Sequence, residues 1–174
     1  MADSELRGPN PRREGSARRP RDPRRRGRAG RTSRVRPRRE RQSVSAGIRL
    51  TAEGSTFVVD RHLAILTTLG PTGRLHSVPV GFTLEDGIAR IITSDGTQKV
   101  RNAERGGQAS VAQVDGGRWL SLQGPSTVVR DEAAVQHAVE LYAGRYRQPG
   151  VNPRRVVIEI AVERALGSSG IVEK

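Results

Sequence analysis

The sequence predicts a mainly β protein with a few helices (an α+β fold), in which six short strands close into a small barrel. Three observations predict this class. Short apolar or alternating runs recur between residues 63 and 163, and tight-turn signals separate them. Helical patterns are few and lie singly between strands. Hairpin-connected strands with inserted helices favour a small barrel over a doubly wound sheet.

The first part of this pattern predicts one helix and two strands. Residues 52–61 are predicted as a short helix, and Leu63–Leu69 is a run typical of a buried strand. After a turn rich in glycine, Leu75–Leu84 alternates and is predicted as one strand. The residues on one face of that strand are His76, Val78, Val80, Phe82 and Leu84.

A hairpin and a second short helix follow. Asp86-Gly87 is a strong signal for a tight hairpin, so Ile88–Thr93 is predicted as the antiparallel neighbour of the preceding strand. Residues 97–106 are predicted as a short helix, and Ala109–Val114 then alternates as the next strand.

The last elements are two strands around the longest helix. Arg118–Val129 is predicted as a strand with Leu120 and Leu122 on one face and Trp119 on the other. Asp131 is a good N-cap for a helix that runs to about Arg147. The apolar stripe of that helix consists of Val135, Ala138, Val139, Tyr142 and Tyr146. The final predicted strand is Arg155–Glu163, with Val156, Ile158, Ile160 and Val162 inward.

Charge divides the chain into a tail, residues 1–43, and a folded domain, residues 44–174. Sixteen arginines and five acidic residues lie within residues 1–41, interleaved with Pro, Gly and Ser, so the tail is predicted to be disordered. An arginine-rich arm is suited to weak contact with a polyanion. The alternatives are a tail without function, produced by GC-rich coding, and a start codon assigned upstream of the true one.

Composition excludes several classes of function. Without cysteine the chain forms no disulfide, zinc–thiolate site or iron–sulfur cluster. No apolar run approaches the ~20 residues of a membrane span, so a soluble, cytoplasmic protein is expected. No Ser-His-Asp order, paired carboxylates or metal-ligand spacing is visible, so no catalytic residue and no metal site is predicted. This pattern is typical of an enzyme whose cofactor carries the chemistry.

The segment Ile91–Glu104 is the most informative part of the sequence for function. A β-branched strand ends at a polar turn, and a short helix opens with Thr97-Gln98-Lys99. A lysine in the first turn of a helix indicates an anion site, here for phosphate, although no glycine-rich nucleotide motif is present. Arg101 and Arg105 follow on the same helix.

Five phrases carry a resemblance to a known family. They are Arg61–Leu69, His76–Phe82, Gln98-Lys99 with Asn102, Gln113–Leu122 and Asn152–Glu159. In order and spacing, over roughly residues 50–168, the chain resembles the split β-barrel flavin/deazaflavin oxidoreductases, the pyridoxamine 5′-phosphate oxidase-like proteins. It is most similar to their F420-dependent branch, in particular the actinobacterial F420H2-dependent biliverdin reductases. The resemblance implies a split β-barrel of the FMN-binding type.

This resemblance also implies a homodimer that holds coenzyme F420 in a groove at the subunit interface. The strand from His76 would pass beside the deazaflavin ring, and Ile92 and Thr93 would border the ring and its sugar chain. Gln98 and Lys99, with Asn102 and Arg105 behind them, would hold the phosphodiester. The implied cofactor-binding residues are His76, Ser77, Val78, Pro79, Val80, Ile92, Thr93, Gln98, Lys99, Asn102, Arg105, Gln113, Gly116, Gly117, Arg118 and Trp119.

The expected function is therefore hydride transfer from F420H2 to a conjugated acceptor, favouring a tetrapyrrole and the reduction of biliverdin to bilirubin. The alternatives are an FMN-dependent oxidoreductase, a non-catalytic F420 carrier, and a polyanion-binding or nucleic-acid-binding protein that acts through its tail. Individual residues have plainer interpretations too. If they do not contact the cofactor, Lys99 is a solvated side chain, His76 is a packed strand residue, and Trp119 belongs to a core or an interface.

Overall fold

The structure, a computed structural model, describes residues 48–173. The predicted disordered tail, residues 1–43, lies outside the described residues, as do residues 44–47 and Lys174. The elements in chain order are α1 (Ala52–Val59), β1 (Ala64–Leu69), β2 (Leu75–Val80), β3 (Thr83–Glu85), β4 (Ile88–Ser94), α2 (Gln98–Ala103), β5 (Gln108–Asp115), β6 (Arg118–Val129), α3 (Glu132–Arg145), β7 (Arg155–Ala161) and β8 (Arg164–Gly167).

The strands form one antiparallel system in the order β2-β1-β5-β6-β7-β4-β3, and β8 also pairs with β6. The mainly β class is confirmed, with eight strands in the described part of the chain where the sequence predicted six. None of the helices between residues 48 and 173 has the length and hydropathy that a membrane span requires.

One of the two extra strands arises because the predicted strand Leu75–Leu84 is broken. Its first part, β2, pairs with β1, and its last part, β3, pairs with β4. The break lies at Gly81, where an added Cβ would come within 2.7 Å of the Tyr142 ring. Beside it, the Phe82 amide donates to the Tyr146 hydroxyl at 3.1 Å instead of to a neighbouring strand. Contact with α3 therefore ends the strand.

The other extra strand follows an early end of β7. The sequence predicted that the last strand would reach Glu163, but β7 ends at Ala161. The Glu163 amide turns to the Gln123 carbonyl at 2.9 Å, and β8 then pairs with β6.

The turn and cap predictions are confirmed. Asp86 and Gly87 both have positive φ, 50° and 74°, as a tight two-residue hairpin requires. The Asp131 carboxylate accepts from the Ala134 amide at 3.0 Å and caps α3. α2 is shorter than predicted, six residues rather than ten.

Strand β6 joins the two halves of the barrel, one formed with β2, β1, β5 and β8 and the other with β7, β4 and β3. Its first eight residues pair with β5, and residues 126–129 pair with β7. The change of partner lies between Pro125 and Ser126. Just before it, an added Cβ at Gly124 would lie 1.9 Å from the Ala161 carbonyl oxygen. The inward residues of both halves form one core, whose largest buried members include Phe57, Leu66, Phe82, Ile91, Leu120, Leu122, Ile158 and Ile160.

Candidate functional site

A cleft of about 290 Å³, the first cleft, lies where the ends of β2 and β4 meet α2 and α3. Of the sixteen predicted site residues, five line it: Pro79, Val80, Ile92, Thr93 and Lys99. Its other lining residues, which the prediction did not include, are Gly81, Ser94, Tyr142, Pro149, Asn152 and Arg155.

Lys99 supplies the positive charge on the α2 side of the first cleft. It is half-buried, and burial lowers the pKa of its ammonium group. Among residues 48–173, no carboxylate lies within 4 Å of this ammonium group. Because α2 has only six residues, the positive charge at this position comes from the side chain rather than from the helix dipole.

The turn between β4 and α2 sets the position of Lys99. Gly96 has φ +75°, a conformation that glycine adopts readily. The Thr97 hydroxyl donates to the Ser94 carbonyl at 3.1 Å and fixes the start of α2. The Asn152 amide donates to the Ser94 hydroxyl at 2.8 Å, which joins this turn to the loop before β7.

An ion cluster that we call the turn clamp holds the same turn from outside. Arg130 bonds both carboxylate oxygens of Asp95, each at 2.9 Å, and also contacts Glu104. The Arg154 guanidinium donates to the Asp95 carbonyl at 2.7 Å. The hydrogen bond from Arg130 holds the pKa of Asp95 below its usual value. The sequence analysis missed the clamp because its members lie on different elements.

Asn102 is a buried hydrogen-bonding hub behind Lys99. Its amide donates to the Thr68 hydroxyl at 2.9 Å, and its oxygen accepts from Gln98 at 2.8 Å and from Arg105. Arg105 also donates to the Leu69 carbonyl at 3.0 Å. Of the four residues predicted to hold a phosphodiester, the structure therefore brings Lys99 to the cleft and places the other three in the network that supports α2.

The predicted residues of β2 divide between its two faces, as the alternation of a strand requires. Ser77 is exposed, and its hydroxyl lies 2.9 Å from that of Thr67. His76 and Val78 are half-buried on the opposite face. The Nδ1 atom of His76 is buried and has no hydrogen-bond partner among the described residues. A buried polar nitrogen of this kind is suited to a bound polar group.

The remaining predicted residues lie away from the first cleft. Gln113 is inside the barrel, where its amide donates to the Phe57 carbonyl at 2.7 Å and accepts from Arg145 at 2.6 Å. Gly116, Gly117, Arg118 and Trp119 belong to the β5–β6 turn and the start of β6, and β1 and β5 separate them from β2. Within one chain these residues do not join Lys99.

Arg145 and Tyr146, neither of which was predicted to have a site role, hold α3 against the barrel. Arg145 donates to the carbonyls of Asp60 and Phe82, and its guanidinium stacks 4.4 Å from the Phe82 ring centroid. Burial lowers its pKa. The Tyr146 hydroxyl donates to the His62 carbonyl at 2.8 Å, and burial raises its pKa. Within residues 48–173, no group of three His, Asp or Glu side chains is placed to hold a metal ion.

Comparisons with known proteins agree with this architecture. Residues 50–168 match the family described as pyridoxamine 5′-phosphate oxidase. An F420H(2)-dependent biliverdin reductase of Mycobacterium tuberculosis (strain CDC 1551 / Oshkosh) is 49% identical over 133 residues, 75% of this chain and 97% of that protein.

Two solved structures are similar in fold. A conserved hypothetical protein of Mycobacterium tuberculosis has a TM-score of 0.60 at 25% identity, covering 70% of this chain and 86% of its own. HupZ of Group A Streptococcus has a TM-score of 0.59 at 23% identity, covering 72% of this chain and all of its own.

Proposed function

Because the chain belongs to the pyridoxamine 5′-phosphate oxidase family and has its split-barrel fold, we propose that it is an F420H2-dependent reductase of a conjugated acceptor. Biliverdin, reduced to bilirubin, is the favoured acceptor. The observation that carries this proposal is the 49% identity to a biliverdin reductase that is matched over 97% of its length. A cytoplasmic location is part of the same proposal.

The residues of the first cleft fit this coenzyme. F420 carries a phosphodiester and a glutamate tail, both anionic, and Lys99 offers a partly desolvated ammonium group with no acidic neighbour within 4 Å among residues 48–173. The wall at Pro79, Val80 and Ile92 is apolar on the side where a flat ring would lie. Outside this lining, His76 lies on the same face of β2 as Val80, and its buried, unpartnered Nδ1 offers a further polar contact.

When bound, the reduced deazaflavin supplies the hydride. Lys99 would hold the phosphodiester, and Ile92 and Thr93 would border the ring and its sugar chain. The Asn102 hub and the turn clamp keep Lys99 in place. The Pro79–Val80 segment and Tyr142, which line the cleft, would exclude water from one side of the ring. The protein's contribution is thus binding and orientation.

A homodimer is part of the proposal, supported by the outward face of the sheet formed by β2, β1, β5, β6 and β8. Large apolar side chains are exposed along this outer sheet face: Ile65, Leu69, Leu75, Val114, Trp119 and Leu166. Exposed apolar patches mark association sites. A second copy on this face would bury Trp119 at the interface, where the family resemblance places the coenzyme groove.

Parallel titration of the purified protein with F420 and FMN tests the proposal, followed by assay of biliverdin reduction with F420H2. We expect F420 binding and formation of bilirubin. Tight FMN binding without F420 affinity would overturn the proposal in favour of a flavin enzyme. F420 binding without turnover of any conjugated acceptor would identify a carrier. Steeply salt-dependent nucleic-acid binding that requires residues 1–43, without F420 binding, would support the polyanion alternative.

A further inference from the structure

A second cleft, also of about 290 Å³, adjoins the first at Tyr142. It is lined by Arg61, Leu63, Tyr142, Tyr146 and Arg147. Tyr142 lines both clefts, so one aromatic side chain separates the place proposed for the coenzyme from this neighbouring space. A ligand that extends past Tyr142 from the first cleft would enter the second.

The aromatic wall between the two clefts is held firmly. The rings of Tyr142 and Tyr146 are stacked with centroids 4.7 Å apart. The hydroxyl of Tyr146 bonds the His62 carbonyl and the Phe82 amide, which fixes the inner ring of the pair. Behind both rings the backbone of Gly81 leaves no room for a side chain. The shape of the second cleft is therefore preformed.

Two guanidinium groups without acidic partners give the second cleft its charge. Arg61 and Arg147 are exposed, and neither has an ion pair or side-chain hydrogen bond within residues 48–173. By contrast, Arg90, Arg118 and Arg130 each pair with a carboxylate. Arg145 adds a third cation nearby, and its charge is offset in part by the carboxylate of Asp60.

We propose that the second cleft is a carboxylate subsite, which takes the acidic arm of a ligand whose conjugated body lies in the first cleft, as the coenzyme ring would, or against that ring, as an acceptor would. Guanidinium groups bind carboxylates through two parallel hydrogen bonds. Leu63, which is 66% exposed, and the tyrosine rings would cover the methylene groups of that arm. The identification of this ligand as F420 or biliverdin rests on the proposed function.

Two ligands share this chemistry. A linear tetrapyrrole such as biliverdin carries propionate side chains, and F420 carries a glutamate tail. Both place a carboxylate several bonds away from a flat conjugated ring. The second cleft would recognise the carboxylate arm of either ligand. Comparison of modified ligands shows whether that arm belongs to biliverdin or to F420.

The test compares the wild type with the double variant Arg61→Gln/Arg147→Gln, with Arg49→Gln as a control at an exposed arginine whose side chain has no hydrogen bond among the described residues. Kd is measured for biliverdin and its dimethyl ester, and for F420 and the same coenzyme without glutamates. Since both substituted arginines are exposed, the double variant should keep the wild-type Tm; Arg147→Glu provides a second variant with reversed charge.

We expect the wild type to bind one carboxylate form at least tenfold more tightly than its uncharged or truncated counterpart, and the double variant to lose that preference. Loss of the biliverdin preference assigns the subsite to the acceptor, and loss of the F420 preference assigns it to the coenzyme tail. The inference is overturned if the wild type shows neither preference, or if the double variant retains every preference that the wild type shows. A wild type that binds no F420 contradicts the proposed function alone, since the comparison of biliverdin with its ester still tests the cleft.

Discussion

Arg130 and Asp95 form a two-point ion pair that ties the end of β6 to the turn preceding α2. Both carboxylate oxygens of Asp95 lie 2.9 Å from Arg130 nitrogens, and the backbone carbonyl of Asp95 accepts from Arg154 at 2.7 Å. Lys99 lies four residues after Asp95. A contact on the outside of the protein thus fixes the direction of a charge inside the first cleft.

Asp95→Asn should weaken F420 binding about three- to tenfold while hardly changing stability. The pair is exposed, and exposed ion pairs contribute little to the free energy of unfolding, but the turn that carries Lys99 would lose its anchor. Fluorescence titration gives the Kd, and urea unfolding gives the stability. Glu85→Gln, which breaks pairs with Arg90 and His137 elsewhere, is the control and should leave Kd unchanged. Equal Kd values for Asp95→Asn and the wild type would show that the clamp has no influence on the site.

F420 affinity should fall as the pH rises toward 10, because binding requires the Lys99 cation. Burial lowers the pKa of Lys99, so the protein without ligand loses this charge below the pH near 10.4 that is usual for lysine. Lys99→Arg should retain affinity over the same range. Lys99→Ala should bind about 10- to 100-fold more weakly at pH 7, the equivalent of a charged hydrogen bond worth ~1.5–3 kcal/mol. Titrations between pH 7 and 10 measure all three proteins; an affinity of Lys99→Ala equal to the wild type would remove Lys99 from the site.

Asn102→Ala should lower both stability and coenzyme affinity. The side chain is 3% exposed and joins Thr68, Gln98 and Arg105, so its loss leaves polar partners unpaired at a cost of about 1–3 kcal/mol. Urea unfolding measures the first effect and F420 titration the second. Gln136→Ala removes an exposed amide that bonds Glu140 and should change stability by less than about 0.5 kcal/mol. If Asn102→Ala also changed the free energy of unfolding by less than about 0.5 kcal/mol, the supporting role of Asn102 would be contradicted.

Gly81→Ala should impair ligand binding at both clefts. The added methyl group would lie 2.7 Å from the Tyr142 ring and 3.1 Å from that of Tyr146, and would displace the stacked pair. Gly144→Ala, in the same helix as Tyr142, meets no atom within 4 Å and should raise stability by about 0.5–1 kcal/mol through helix propensity. The two variants are compared by urea unfolding and by titration with F420 and biliverdin. Unaltered affinities for Gly81→Ala would mean that the tyrosine wall does not shape either cleft.

Ile65→Arg should convert a homodimer into a monomer. Ile65 is 47% exposed in the middle of the outer sheet face, beside Pro79 and Ala112, and a buried unpaired charge there would oppose association. Analytical ultracentrifugation measures the mass. Val59→Arg places the same charge on α1, at a residue 68% exposed but outside that face, and should remain dimeric. A wild type that is monomeric at micromolar concentration would contradict the proposed interface.

Local pattern was sufficient to predict most of the barrel. The Asp86-Gly87 hairpin and the Asp131 cap depend on neighbouring residues alone, and both are present. The break at Gly81 could not be predicted, because it depends on tyrosines more than sixty residues away. Strand alternation likewise could not predict that the Arg145 guanidinium donates a hydrogen bond to the side-chain oxygen of Gln113 inside the barrel.

The candidate site was predicted in part for the same reason. The sequence indicated Lys99 and Thr93 because a strand, a turn and a helix follow one another directly. The Asn102 hub and the turn clamp join side chains that are up to 59 residues apart. Such contacts are set by the packing of separate elements and leave no local signal.

The shared strand β6 has a consequence for how the barrel opens. Because residues 118–125 bond one set of strands and residues 126–129 the other, neither half can separate without exposing backbone amides of the same strand. We therefore expect the two halves to unfold together as one cooperative unit, so that hydrogen–deuterium exchange of the β6 amides would report the free energy of global unfolding. The first cleft, which lies between β2 of one half and β4 of the other, should then persist until the barrel unfolds as a whole.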